Sequence, residues 1–107
     1  MFNAGVADVE IALNGKTYWV EFKWSENHEA QVGKLLRPGQ YGFLHARAKQ
    51  NVPAYVAVGF PNIGFPNRGA MIPIGLVSPN KIDLRLFEIP VLMFGRKACF
   101  DIRKWLN

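Results

Sequence analysis

Residues 7–24 read A-D-V-E-I-A-L-N-G-K-T-Y-W-V-E-F-K-W, and this stretch decides the fold. Val9, Ile11 and Leu13 alternate with Asp8, Glu10 and Ala12, the period of a half-buried strand. Asn14-Gly15 follows, a dipeptide that favours a two-residue hairpin turn because both residues tolerate positive φ. Residues 16–24 are aromatic and β-branched and suit a second strand. A two-residue turn at this point predicts the register: Leu13 faces Lys16, Ile11 faces Tyr18, Val9 faces Val20, and Asp8 faces Glu21. Side chains alternate between the faces of a sheet. Val9, Ile11, Tyr18, Val20 and Phe22 are then expected to face a core. Asp8, Glu10, Trp19, Glu21 and Lys23 share the other, polar face.

In that register the β-carbons of Asp8 and Glu21 stand about 5 Å apart. Two carboxylates so placed repel, and a proton, a nearby cation or a metal must compensate. Lys23 supplies one positive charge two residues from Glu21. Two carboxylates and a strand carbonyl oxygen also suit Mg²⁺ or Mn²⁺, which prefer oxygen ligands. The plainer alternative is a solvated, charged strand face.

Outward from the hairpin, residues 25–33 are polar and read as a loop, with a helical turn as the alternative. A helix is predicted to open near Pro38, a residue suited to a first helical position, and to run to about Gln50. Tyr41, Leu44 and Ala48, with Phe43 and His45, give it a mixed face. Residues 54–60 (A-Y-V-A-V-G-F) are nearly continuously apolar, as a central strand requires. Residues 59–69 carry the local duplication G-F-P-N-I-G-F-P-N, which predicts a loop or paired turns. Residues 71–77 and 84–92 are further strand candidates around a turn at Ser78-Pro79-Asn80, and residues 101–106 a short terminal helix. The order β-β-α-β, followed by more β and undivided by a linker, predicts one domain over residues 1–107, of the α/β (α+β) class.

Composition narrows the function classes. Half of the 107 residues are apolar and 20% are charged, which excludes a disordered tail. A chain of this size buries a limited share of its surface, which favours a homodimer. There are 13 Lys and Arg against 8 Asp and Glu, a net charge of +5 that attracts polyanions such as DNA. Cys99 is the single cysteine, so no intrachain disulfide forms and a reducing compartment is expected. No apolar run approaches a membrane span, and residues 1–5 lack the pattern of a signal peptide. The expectation is a cytoplasmic, intracellular protein with no membrane contact.

At this point the sequence resembles the PD-(D/E)XK nuclease superfamily. The matching residues are Gly5-Val6-Ala7-Asp8, the hairpin, and Val20-Glu21-Phe22-Lys23, with Ala7 where the family often has proline. Leu36-Arg37-Pro38-Gly39-Gln40 resembles the segment that opens the next helix in the virus-type replication-repair (VRR-NUC) nucleases and related phage resolvase-like proteins. The resemblance covers roughly residues 5–60 and extends to the strand after Val52-Pro53.

The resemblance implies a restriction-endonuclease-like mixed central sheet that opens with a hairpin, and a divalent-metal-dependent DNA endonuclease encoded by a phage in a bacterial host. Asp8, Glu21 and the carbonyl oxygen of Phe22 would hold Mg²⁺ or Mn²⁺, with no small-molecule cofactor. Lys23 would orient or help deprotonate the attacking water and stabilise the charged transition state. Gln40 would position water, Lys23 or a phosphate. The substrate would be DNA, with branched or recombination intermediates as one class. Family members usually carry a helix before the first strand. Only seven residues precede Asp8 here, so that helix is expected to be absent, shortened or supplied by another chain, which again favours a dimer.

Other residues carry weaker readings. Lys34, Arg37, Arg47 and Arg68 are candidate phosphate contacts, with ordinary solvated surface as the alternative. Trp19 is a candidate base-stacking or dimer residue, whereas Trp24 and Trp105 read as core. His28 and His45 have no partners at zinc spacing, and Ser25 has no partner pattern for a nucleophile. Arg96, Lys97, Arg103 and Lys104 form a basic surface cluster. Two other readings stand beside the nuclease: a nucleic-acid-binding or scaffold module with the fold but little catalysis, and an unrelated β-rich interaction domain.

Overall fold

The computed structural model describes residues 9–13, 15–61 and 68–89. Two antiparallel strands open it, β1 (Val9–Leu13) and β2 (Lys16–Trp24). Their partners are Val9 with Val20, Ile11 with Tyr18 and Leu13 with Lys16, the expected register. Gly15 takes φ +77°, the left-handed value that a two-residue hairpin turn demands and that glycine adopts at no steric cost.

The chain then crosses over the sheet. The stretch expected to be a loop contains a two-residue strand, β3 (Glu29–Ala30), and one helical turn, α1 (Val32–Leu35). Elements this short leave almost no periodicity to read. The main helix, α2 (Gln40–Lys49), starts two residues later than predicted. Gly39 has φ +89°, outside the helical region, so Pro38 belongs to the turn that leads in. β4 (Ala54–Phe60) runs parallel to β2, and β5 (Arg68–Pro73) antiparallel to β4.

Residues 59–60 end β4 as the apolar run predicts, whereas residues 68–69, expected in the Gly-Pro loop, are strand, Gly69 paired with Gly59 and Arg68 with Phe60; residues 62–67 of that loop lie outside the described residues. The strand expected to reach residue 77 stops at Pro73 and becomes a 3₁₀ turn, Ile74–Leu76. The strand expected over residues 84–92 begins instead as a 3₁₀ turn, Leu84–Phe87, after β6 (Ile82–Asp83); among its described residues only β7 (Glu88–Ile89) pairs with the sheet, and residues 90–92 lie outside the described residues. Residues 101–106 and the terminal basic cluster lie outside the described residues.

Among the described residues the main sheet has the order β1-β2-β4-β5-β7, and β3 pairs with β6 in a separate ladder. This is a mixed α+β fold. The sheet is buried on both faces. On one, Leu44 of α2 packs with Val56, Val58 and Phe60 of β4 and Ala70 and Ile72 of β5. On the other, Val20, Ala57, Met71 and Ile89 cluster with Ile11, Phe22 and Tyr55 against them. The apolar face of the hairpin is thus a core face, as its alternation predicts.

Gly59 sits opposite Trp24 on β2, and a β-carbon there would come within 2.9 Å of the Trp24 ring. Gly59→Ala is therefore expected to cost about 1–3 kcal/mol, read as a lower urea midpoint at unchanged slope.

Arg85 forks onto Asp83 with contacts of 3.0 and 2.8 Å, and its backbone N–H caps the same carboxylate at 3.0 Å. These hydrogen bonds pull the Asp83 carboxyl from 3.8 to about 2. A carboxyl lowered on folding stabilises the fold above its unfolded pKa and loses that contribution as pH falls through the folded value. Arg85→Ala should therefore flatten the acid limb of the stability curve between about pH 4 and pH 2, through a small loss of stability at neutral pH that disappears as the variant and the parent converge near pH 2.

Candidate active site

Glu21 lies near the middle of β2, a strand paired by β1 on one side and β4 on the other. Its partners across the parallel ladder place it beside Val56, and Lys23 beside Val58, both on the face that α2 covers. The plainer alternative, a solvated and charged strand face, does not hold at Glu21. Glu21 is only 2% exposed, although Glu10 near the sheet edge is exposed as expected. The cause is α2: Phe43 meets Trp19 edge-on, ring centroids 4.9 Å apart at 84°, and closes the helix over this part of the strand. The sequence signal was Trp19 itself, an aromatic on a face read as polar.

Lys23 Nζ stands 3.4 Å from Glu21 Oε2, and its side chain is 14% exposed. Removing two such charges from water costs several kcal/mol per ion, and their attraction roughly offsets it. A buried pair of this kind is weak ground for stability. Apolar residues of similar size would serve a core as well or better. The arrangement keeps an acceptor-only carboxylate and a three-donor ammonium together at the rim of the covered face.

The Phe22 carbonyl has a direction set by the ladder. Trp19 and Ser25 donate their N–H groups to Pro53 and Gly59 on the β4 side, at 2.9 and 2.8 Å. Peptide groups alternate along a strand, so those of Phe22 turn to the β1 side. Val9, the first described residue of β1, pairs with Val20, one position before Glu21. Asp8, the expected partner of Glu21, lies outside the described residues.

Gln40 opens α2 and is 3% exposed. Its Oε1 accepts from the Arg37 N–H at 2.7 Å, which closes the 37–40 turn and leaves the amide Nε2 as the donor it can offer. α2 carries the chain back between two parallel strands, so it runs against both. With Phe43 on Trp19, Gln40 lies one turn further along, toward the Glu21 and Lys23 end of β2.

The structure brings the other sequence candidates to different places. Trp19 is half-buried and held by Phe43. The Arg47 guanidinium lies 4.6 Å from the centre of the Phe43 ring. Arg68 forks onto Glu88, with one contact of 2.7 Å, across the β5 and β7 ends of the sheet. Lys34 and Arg37 are exposed beside the start of α2. His28 stands 3.9 Å from Glu29, and the Ser25 hydroxyl donates to the Asn27 carbonyl in a local turn. Trp24 lies over Gly59, half-buried.

Sequence reasoning missed one feature. Tyr41 and His45 are stacked, ring centroids 5.5 Å apart at 15°. Their i, i+4 spacing on a helix was the available signal.

Among the described residues no group of three or more His, Cys, Asp and Glu side chains gathers to hold a metal, and no helix is long and apolar enough to cross a membrane. No protein-family model matches the chain, and no curated protein is significantly similar to it.

Proposed function

We propose that this chain is a divalent-metal-dependent DNA endonuclease of the PD-(D/E)XK type, with Asp8, Glu21, Lys23 and Gln40 at its active site. The observation that carries the reading is the burial of Glu21 beside Lys23 on the face covered by α2. A core has no use for that pair, whereas phosphodiester hydrolysis needs a fixed carboxylate and a fixed cation. The hairpin register adds support, because the residue before Val9 in sequence is Asp8 and Val9 pairs with Val20, the residue before Glu21.

The donor set fits a small hard cation. Mg²⁺ keeps several of its waters and takes one or two carboxylates. Glu21 and Asp8 would supply these, with the Phe22 carbonyl on the same side of the strand. When bound, the ion would polarise the phosphoryl oxygens and lower the pKa of a coordinated water. The chain's own groups do the rest. Lys23 orients the attacking water and stabilises the added negative charge on the phosphoryl oxygens. Glu21 holds the Lys23 ammonium in place before substrate arrives, so little reorganisation remains for the transition state. Gln40, tied through Oε1, directs its Nε2 donor to water or phosphate. Lys34 and Arg37 contact the backbone, whereas Arg47 and Arg68 brace the fold.

The test is incubation of the purified chain with supercoiled, linear and branched DNA in Mg²⁺, in Mn²⁺ and in chelator. Cleavage that needs the metal supports the proposal. Salt-sensitive binding without cleavage points instead to a nucleic-acid-binding module with this fold, and neither one to an interaction domain.

A further inference from the structure

A cleft of about 460 Å³ opens between α1, the start of α2 and the bend at residues 77–79, lined by Gly33, Lys34, Tyr41, Val77, Ser78 and Pro79. Its walls are fixed by backbone bonds. The Gly33 N–H donates to the Ser78 carbonyl at 3.1 Å, and the Gln31 side chain to the Pro79 carbonyl at 3.1 Å. A β-carbon on Gly33 would fall 2.7 Å from the Ser78 oxygen, so glycine is what allows the two walls to approach this closely.

Three features define what the cleft can take. Its volume lies in the range of small-ligand sites, about 300–1,000 Å³, and is far too small for a duplex. Tyr41 is a large aromatic 43% exposed at its edge, with its plane set by the stack on His45. Lys34 is exposed, makes no ion pair among the described residues, and no carboxylate lines the cleft. An apolar slot with a flat ring and an unpaired cation matches an unpaired nucleotide, whose base stacks and whose phosphate is anionic.

We propose that this cleft binds one unpaired nucleotide of a DNA substrate, its base stacked on Tyr41 and its phosphate held by Lys34. Tyr41 follows Gln40 directly, so the cleft and the proposed active site share the first turn of α2, and a single-stranded tail or displaced strand would pass around that turn from one to the other. The assignment of the polymer as DNA rests on the nuclease reading above; the stacking and the charge do not.

The test measures binding in chelator, where cleavage plays no part. Fluorescence anisotropy compares a blunt duplex, the same duplex with a single-stranded oligothymidine tail, and the tail alone. The full chain should bind the tailed duplex at least about 10-fold more tightly than the blunt one. Tyr41→Ala should weaken tail binding by about 5- to 150-fold, the range for loss of one base–aromatic stack, and Tyr41→Phe should retain it. Lys34→Ala should lower the salt dependence of tail binding. Equal affinity for tailed and blunt duplexes, or a Tyr41→Ala chain that binds the tail as the parent does, overturns the proposal. Tail binding through Tyr41 by a chain that cleaves nothing in Mg²⁺ or Mn²⁺ would uphold the cleft and sink the nuclease reading. Metal-dependent cleavage with no tail preference would do the reverse.

Discussion

Lys23→Ala and Asp8→Ala are each expected to reduce metal-dependent DNA cleavage by at least about 100-fold, with the circular-dichroism spectrum of the parent chain retained. Removal of one preorganised donor from a charged transition state typically costs about 100- to 1,000-fold in rate. Lys23 stands 3.4 Å from Glu21 at the rim of a covered face, where such a donor is little weakened by solvent. Lys23→Arg should rescue poorly, because a planar guanidinium cannot occupy the position of a compact ammonium. Glu21→Gln keeps the shape of the side chain and takes the counter-charge from a Lys23 ammonium that is only 14% exposed, so cleavage should fall as steeply and the urea midpoint should fall with it. A loss of stability without loss of cleavage in these variants would assign the pair to the core and not to chemistry. The assay is initial-rate cleavage of supercoiled DNA in Mn²⁺, run beside urea unfolding of the same preparations.

Leu44→Ala is expected to destabilise the chain by about 2–5 kcal/mol, the range for removing a fully buried leucine from a packed core. Leu44 is completely buried between α2 and the sheet, among Val56, Val58 and Ile72. In a domain of this size the loss lowers the melting temperature by at least about 8 °C. The same chemical change at Leu86, which is 79% exposed, should stay within about 0.5 kcal/mol. Leu44 also holds down the helix whose first residue is Gln40, so cleavage by the Leu44→Ala chain should fall well below its melting temperature.

The hairpin was legible because its determinants are local. Asn14-Gly15 sets the turn, the alternation of Val9, Ile11, Tyr18 and Val20 sets the face, and a parity-two register follows from both. β4 was legible from its unbroken apolar run, which a strand paired on both sides requires. Burial of Glu21 was not legible, because it depends on α2 crossing that face, a long-range contact made by Phe43 on Trp19. The segments after Pro73 were misread for a related reason. Residues 74–77 and 84–87 are apolar enough for strands, but they turn into the core as 3₁₀ elements, with Ile74, Val77 and Leu84 buried in the same cluster as Leu44, Val56 and Ile72. Apolar content fixes that they are inside, and only the packing decides how the backbone runs. The cleft beside Tyr41 was invisible for the same reason, since its walls come from residues 33–41 and 77–79.

The most direct test of the central claim is a crystal structure of the chain grown with Mn²⁺, with anomalous scattering recorded at the manganese edge. An anomalous peak is expected at the Glu21 and Asp8 carboxylates, with the Phe22 carbonyl oxygen and Lys23 close by. An Asp8 side chain on the opposite face of the sheet from Glu21, with no peak at Glu21, would contradict it.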